Sequence, residues 1–454
     1  MVLGYSKSIE LMIMVKSGDL TGDEKYAIQS KLSLITYPLL LKFLYAPIID
    51  TYYFRSIGRS KTYIFILGLL AGISVLIFAP RADLAVENKE IALLAGFWFF
   101  VNFLANFQQV AFESWTVTIV DQAYRKYMAI MLILGFSTGD FTSYNAFVFL
   151  NSQKSINDNF GWFCQGQDSG SQRACLENLR VTHTRFVRFM GVLVLLVSFY
   201  VLLFIKERVV DQEQEEANRQ NEIQVIDHDQ PDRGLKGILF QFIPKLMKNK
   251  AMRVFIFYLI ASRFFFELYK RSLDLRFVGK GMELKTINLV NTLVFPFALL
   301  TGYLSSPFIK RGSAMRRYQL IVTIEILACT HRFYLTYIYS KGYEHKNSFF
   351  TQILINNIIG QVKRCNFYFW FGHLNMIITD LAYSSTILAI FTSVNNAAGW
   401  GVNYIGLKTI QYMEGCFPGR GYNWCVTVAT ICALVSMYLL RGYTVYLDEL
   451  PTEE

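Results

Sequence analysis

The chain has 454 residues, 53% of them hydrophobic, 16% aromatic and only 17% charged. Soluble domains carry about 25% charged residues, so this composition argues against an ordinary soluble fold and for a chain that lives in lipid. Lys and Arg outnumber Asp and Glu by 44 to 34, and beside such long apolar runs the excess reads as cytoplasmic membrane loops rather than nucleic-acid binding.

In chain order, the first stretch, Met1–Leu20, does not read as a secretory signal. Its apolar part is short, Lys16 interrupts it, and no small-residue cleavage site follows. A bilayer core of about 30 Å needs ~20 mostly apolar helical residues. Runs of that kind fall at Ser30–Ile49, Thr62–Pro80, Ile91–Val120, Tyr127–Asn151, Thr184–Ile205, Ala251–Val278, Thr286–Ile309, Tyr318–Tyr339, Phe349–Ile378, Tyr383–Leu407 and Trp424–Tyr446. They make about eleven spans, all helical, because a lipid-exposed backbone must close its hydrogen bonds within each segment.

Two connections interrupt the pattern. Ser152–His183 reads as a polar loop holding Cys164 and Cys175, and Lys206–Lys250 is the longest polar interval. The first part of that interval has the composition of a solvated linker. In its second part Leu235, Ile238, Leu239 and Phe242 share a helical face, which suits a helix on the membrane surface. The expected organisation is a helical bundle over residues 1–205, a cytosolic linker with its surface helix over 206–250, and a second bundle over 251–454. Two multi-span halves about a central linker is a transporter layout.

Placing the Thr51–Lys61 loop in the cytosol puts Asp121–Lys126, the central linker and Lys310–Arg317 there too, where most loop cations then lie. The Cys164/Cys175 loop falls on the lumenal side, where a disulfide can persist; the sequence leaves that pairing open. No Cys/His cluster has metal-ligand spacing, so no metal is expected.

Ionisable groups at membrane depth cost about 2.5–3.5 kcal/mol each on insertion scales and normally face a cavity or a partner. Here they include Lys42, Glu113, Asp140, Arg263, Glu267, Lys270, Arg271, Glu325, His331, Arg332, Lys363 and Arg364. Asp140, Lys270 and Arg271, near helix ends, read as snorkelling side chains. Arg263 has Glu267 one turn on, which fits either an intrahelical ion pair or a cavity cation for an anionic substrate.

Some of these residues carry a resemblance. Leu41–Tyr63, LKFLYAPIIDTYYFRSIGRSKTY, resembles the loop between the second and third helices of the major facilitator superfamily, whose signature is Asp followed by Gly-Arg-x-Lys/Arg. Asp50 and Gly58 stand eight apart, a longer spacing than usual in the superfamily. With Lys42 and Ala46-Pro47 ahead of it, the stretch is similar to the endoplasmic-reticulum acetyl-coenzyme A transporters. Gln109–Val120 resembles that family's segment Asp-Ile-Ala-Val-Asp-Gly-Trp-Ala, keeping Ala111 and Trp115 but with Gln109 and Glu113 at the two Asp positions. Asp380, Ala382, Thr386, Asn396 and Gly399 match a later stretch, with Leu381 in place of the family's Pro. The start of the chain resembles the tail of the family's first helix, so the expectation is eleven spans with the first helix mostly absent.

The resemblance implies an all-α membrane protein with a major-facilitator-like two-bundle fold, acting as a transporter and not an enzyme. The cargo it implies is acetyl-coenzyme A, moved across the endoplasmic-reticulum membrane. Membrane lipid is the other partner, with no nucleic acid and no cofactor, and a homo-oligomer is left open. Coenzyme A carries a phosphorylated ribose and a pyrophosphate, so cations are required in the cavity. Lys42, Arg263, Lys363 and Arg364 are the candidates for phosphate contacts, Glu113 their counter-ion or a titrating group, and Asn396 a further substrate-binding candidate. Asp50, Gly58, Arg59 and Lys61 are expected to gate the cytosolic side instead. Two other classes stay open: a non-transporting relative, and an acyltransferase built around His373, which has no His-x-x-x-x-Asp motif in its support.

Overall fold

A computed structural model of the chain describes residues 2–16, 22–54, 56–119, 125–164, 169–205, 243–280, 314–339, 347–360 and 384–448, with scattered positions over 237–300 and at 362. Regular structure among these residues is entirely helical. The first part comprises α1 (Val2–Lys16), α2 (Gly22–Ser33), α3 (Lys42–Thr51), α4 (Arg59–Phe78), α5 (Ala82–Glu87), α6 (Ile91–Ile119), α7 (Arg125–Asp140), α8 (Phe147–Asn151), α9 (Gln153–Phe160), α10 (Ser169–Leu179) and α11 (His183–Phe204). Then follow α12 (Ile243–Lys248), α13 (Lys250–Gly279), α14 (Ala314–Ile338), α15 (Ser384–Asn396), α16 (Val402–Cys416), α17 (Gly421–Leu439) and α18 (Arg441–Asp448).

Among the described residues, five helical stretches are long and apolar enough to cross a membrane by length and composition: Ala27–Thr51, Arg59–Glu87, Ile91–Thr116, Ser171–Phe204 and Gly421–Leu439. Their exposed faces include apolar stretches; the C-terminal half of α11, for example, exposes Leu196, Tyr200, Leu203 and Phe204, which suits lipid and would be costly in water. Three further long helices, the α7–α8 run, α13 and α14, also coincide with expected spans but carry internal charges. Expected spans at Thr286–Ile309 and in the second half of Phe349–Ile378 lie largely outside the described residues. So does the amphipathic face of Leu235, Ile238, Leu239 and Phe242.

The apolar core divides along the sequence. One cluster is drawn from α1 to α11, with Tyr5, Ile9, Trp98, Phe147 and Val187 at its centre. Another is drawn from α13 to α18, with Tyr258, Phe266, Val322, Phe391 and Val426 fully buried. Tyr5, Ile9 and Ile13 share one face of α1, so that short helix is fastened by its i, i+4, i+8 stripe.

Several local features among the described residues depart from straight α-helix. Leu34–Leu40 is 3₁₀-helical around Pro38, whose missing N–H breaks the regular ladder between α2 and α3. Phe141–Ala146 and Ala397–Gly401 are π-helical turns inside otherwise continuous helices. The first lies against α1 and the second against α13. Such turns insert an extra residue per turn and often mark functional positions.

The segment read as a polar loop, Ser152–His183, is instead a folded insert. Ser152 caps α9 through Ser155 N–H, Cys164 and Cys175 form a disulfide with their Cα atoms 6.1 Å apart, and Ile156, Cys164 and Leu176 make a small core. Arg180 and Asn151 tie its two ends together, the guanidinium donating to Asn151 O and the Asn151 amide to Val181 O, both at 2.8 Å. Its polar composition hid helices that rely on one covalent link and a few apolar residues.

Candidate functional site

The N-terminal and C-terminal helices meet along a seam in which the α2–α3 span lies beside the α15–α16 span. Asp50, in the last turn of α3, sits at the first turn of α15. Its Oδ2 accepts from Thr386 N at 3.1 Å and from the Thr386 hydroxyl at 2.8 Å. This carboxylate satisfies a helix-terminal N–H and faces the positive end of the α15 dipole. Farther along, Phe43 N donates to Ser393 Oγ at 3.1 Å, the Asn396 amide donates to Leu39 O at 3.2 Å, and Tyr37 OH donates to Gly401 O at 3.4 Å.

The gating candidates form a second layer on Asp50. Gly58 has φ 108° and ψ 159°, a conformation side-chain-bearing residues rarely adopt, and this turn launches α4. Arg59 then places Nη1 3.6 Å from Asp50 Oδ1 and reaches Ser114 on α6 with Nη2 at 3.4 Å. Lys61 Nζ donates to Leu202 O at 3.0 Å, in the last turn of α11, where carbonyls are left over and a cation is favourable. Asp50, Gly58, Arg59 and Lys61 thus link α3, α4, α6, α11 and α15 at one end of the molecule.

Lys42 opens α3 and is 1% exposed; its Nζ lies 3.4 Å from Glu113 Oε1 on α6. The Gln109 amide donates to that same oxygen at 2.5 Å. Gln109 and Glu113 therefore work together: a second carboxylate at position 109 would compete for Lys42, whereas an amide leaves one cation against one acid. Lys42 is enclosed by this pairing in the conformation seen.

On the other side of the seam, Arg263, Glu267 and Lys270 lie on one face of α13. Arg263 Nη2 donates to Glu267 Oε1 at 2.8 Å, and its Nη1 donates across to Asn395 Oδ1 on α15. Gly399 lies beside the guanidinium: a Cβ there would come within 2.9 Å of Nη2. Both sequence readings of Arg263 hold in part, since it has its intrahelical acid and also reaches the adjoining helix. Lys270 does not snorkel. Its Nζ donates to Glu325 Oε1 on α14 at 2.6 Å and lies 3.6 Å from Glu267 Oε1. Glu325 is 2% exposed and Lys270 35%.

Lys42 and Arg263 border the same stretch of seam, because Leu39–Phe43 bonds to Ser393 and Asn396 while Arg263 bonds to Asn395. Asn396 faces the α2–α3 span; its neighbour Asn395, which the sequence reading passed over, takes the arginine. Lys270 pairs with acids instead of snorkelling, and the signal for this is its spacing from Arg263 and Glu267, which puts all three on one face. Lys363, Arg364, His373 and Asp380 lie outside the described residues.

Comparison with known proteins adds to this geometry. The family model described as acetyl-coenzyme A transporter 1 matches residues 13–391. An uncharacterized membrane protein of Saccharomyces cerevisiae is 23% identical over 301 residues, which is 60% of this chain and 52% of that protein. An uncharacterized protein of Schizosaccharomyces pombe is 30% identical over 127 residues, 28% of this chain and 24% of that protein. The chain thus spans about half or less of the length of these curated relatives. Among solved structures, the proton:xylose symporter XylE of the major facilitator superfamily, bound to 6-bromo-6-deoxy-D-glucose, superposes with a TM-score of 0.61 at 11% identity, over 98% of this chain and 93% of that one. The superfamily transporter FucP in its outward conformation gives 0.52 at 11% identity, over 97% and 98% of the two chains. At such identity the structures establish the fold, an all-α major-facilitator-like membrane fold.

Proposed function

The chain belongs to the acetyl-coenzyme A transporter family, and from that premise we propose that it carries acetyl-coenzyme A, or a related acyl-coenzyme A, across the endoplasmic-reticulum membrane by alternating access. The observation that carries this reading is the pair of buried ion clusters flanking one seam: Lys42 with Glu113 on one side, and Arg263 with Glu267 and Asn395 on the other. Membranes tolerate such charges where they meet a partner or an aqueous path, and a cargo with three phosphates needs cations at that depth. In this reading residues 1–205 and 251–454 move as two units joined through 206–250. Arg263 and Lys42 contact the cargo's phosphates, with Lys363, Arg364 and Asn396 as further candidates.

Purified protein in liposomes tests the proposal. Saturable uptake of labelled acetyl-coenzyme A is expected, and Arg263→Ala is expected to lower it at least about tenfold, the scale of one lost charge-assisted contact. Absence of uptake together with acyl transfer to lipid would replace the transporter by an enzyme. Absence of both would favour a non-transporting relative.

Asp50, Gly58, Arg59 and Lys61 act in this proposal as the cytosolic latch. Asp50→Asn keeps an acceptor for Thr386 but removes the charge that Arg59 and the α15 terminus face. A loss of about 1–2 kcal/mol from the closed state is expected, shifting the population toward cytosol-open several-fold. The readout is modification of a Ser393→Cys thiol by a membrane-impermeant reagent, which should quicken in the Asp50→Asn background. An unchanged rate would remove the latch role.

A further inference from the structure

We propose that Glu267 is a built-in competitor for the cargo's phosphate. It occupies the position between Arg263 and Lys270 that a phosphate or diphosphate oxygen takes during transport, and its return drives release. This rests on the reading of the chain as a carrier of phosphate-bearing cargo. The geometry behind it is the convergence of two cations on one oxygen: Glu267 Oε1 lies 2.8 Å from Arg263 Nη2 and 3.6 Å from Lys270 Nζ. The two cations are two helical turns apart on α13, yet their tips meet there. A phosphate oxygen in that place is met by both, with a planar guanidinium fork on one side and a mobile ammonium on the other.

The surroundings suit an exchange better than a permanent lock. Glu325 holds Lys270 at 2.6 Å and Asn395 holds the other arm of Arg263, so neither cation loses all its partners when Glu267 leaves. Lys270 is the more open end of the cluster, its side chain 35% exposed against 12% for Arg263 and 10% for Glu267, so an anion arrives by way of Lys270. Gly399 leaves the guanidinium room that a side chain would fill. Two cations face two carboxylates, so an entering phosphate must displace a negative charge. Glu267, on the same helix as both cations, can turn toward the aqueous side and swing back. Without a competing acid, the same cations would bind cargo tightly and release it slowly.

The test uses the full chain in lipid nanodiscs, with equilibrium binding of labelled acetyl-coenzyme A and with inorganic pyrophosphate as a phosphate-only competitor. Glu267→Gln keeps the size and the acceptor but removes the charge. It is expected to tighten both ligands about tenfold while slowing uptake into liposomes several-fold. Lys270→Gln is expected to weaken pyrophosphate about tenfold, and it stands as the test if Glu267→Gln does not fold. Pyrophosphate binding that is indifferent to either variant overturns the inference. If wild type binds and takes up acetyl-coenzyme A with the same indifference, the inference falls and the transport reading stands. If wild type ignores acetyl-coenzyme A but binds pyrophosphate, more tightly in Glu267→Gln, the exchange stands and the cargo assignment falls. Binding of neither ligand overturns both.

Discussion

Glu113→Ala is expected to destabilise the protein by about 3–5 kcal/mol, the cost of leaving a buried charge without its partner. Lys42 is 1% exposed, so its ammonium cannot turn to water when Glu113 is gone, and the Gln109 amide that now donates to Glu113 offers it only a weaker acceptor. Removing both charges is a different experiment. Lys42→Met with Glu113→Gln replaces the pair by groups of similar size and is expected to stay within about 1–2 kcal/mol of wild type, because buried ion pairs gain little over a well-packed substitute. Thermal unfolding in detergent, followed by loss of the monodisperse peak, separates the two outcomes. A single mutant as stable as wild type would show that Lys42 finds water or another acid. The double mutant carries the functional question: stable protein without uptake would tie the Lys42–Glu113 pair to transport, and stable protein with normal uptake would release Lys42 from contact with cargo.

Gly406→Ala is expected to be strongly damaging for a single added methyl. Gly406, on α16, sits directly against the backbone of α13. A Cβ would clash with the Leu268 carbonyl oxygen, far inside van der Waals contact, and reach 2.9 Å from Leu268 Cα. The obstacle is backbone, which cannot rotate away, so the helices must separate and the packing of Leu407 and Ile410 against Leu259 and Phe266 loosens with them. Overpacking of this kind costs about 1–3 kcal/mol and sometimes more. Gly415→Ala on the same helix is the control, since nothing lies within 4 Å of a Cβ there. That change should be neutral or stabilising by a few tenths to about 1 kcal/mol from helix propensity alone. Equal unfolding temperatures for the two variants would contradict the close crossing.

Much of the architecture is legible in the sequence. Runs such as Thr62–Pro80 and Thr184–Ile205 coincide with α4 and α11 to within a few residues, because hydrophobic length is a direct consequence of bilayer thickness. The Asp50–Gly58 spacing and the Gly-Arg-x-Lys cluster led to the family, and Gly58 does hold a backbone conformation that calls for glycine. The helices of Ser152–Val181 were not legible, since a small insert held by one disulfide has too few apolar residues to show a periodic face. The π-helical turns at Phe141–Ala146 and Ala397–Gly401 have no composition signal that separates them from α-helix.

By itself the amino-acid sequence determined that this is a helical membrane protein, and it set the expectations for its spans, its basic side and its ionisable residues at membrane depth. Each of these follows from local properties: the apolar length of a segment, the charge of a loop, the cost of a charge in lipid. Only the tertiary structure decided what those charges face. Lys270 looked like a snorkelling side chain until α14 brought Glu325 within 2.6 Å. Asp50 reads from the sequence as a gating residue, but only the packed bundle shows what it faces, the Thr386 N–H in the first turn of α15. Partners 55 and 336 positions away in the chain have no local signature, because pairing depends on which helix faces come together when the bundle packs.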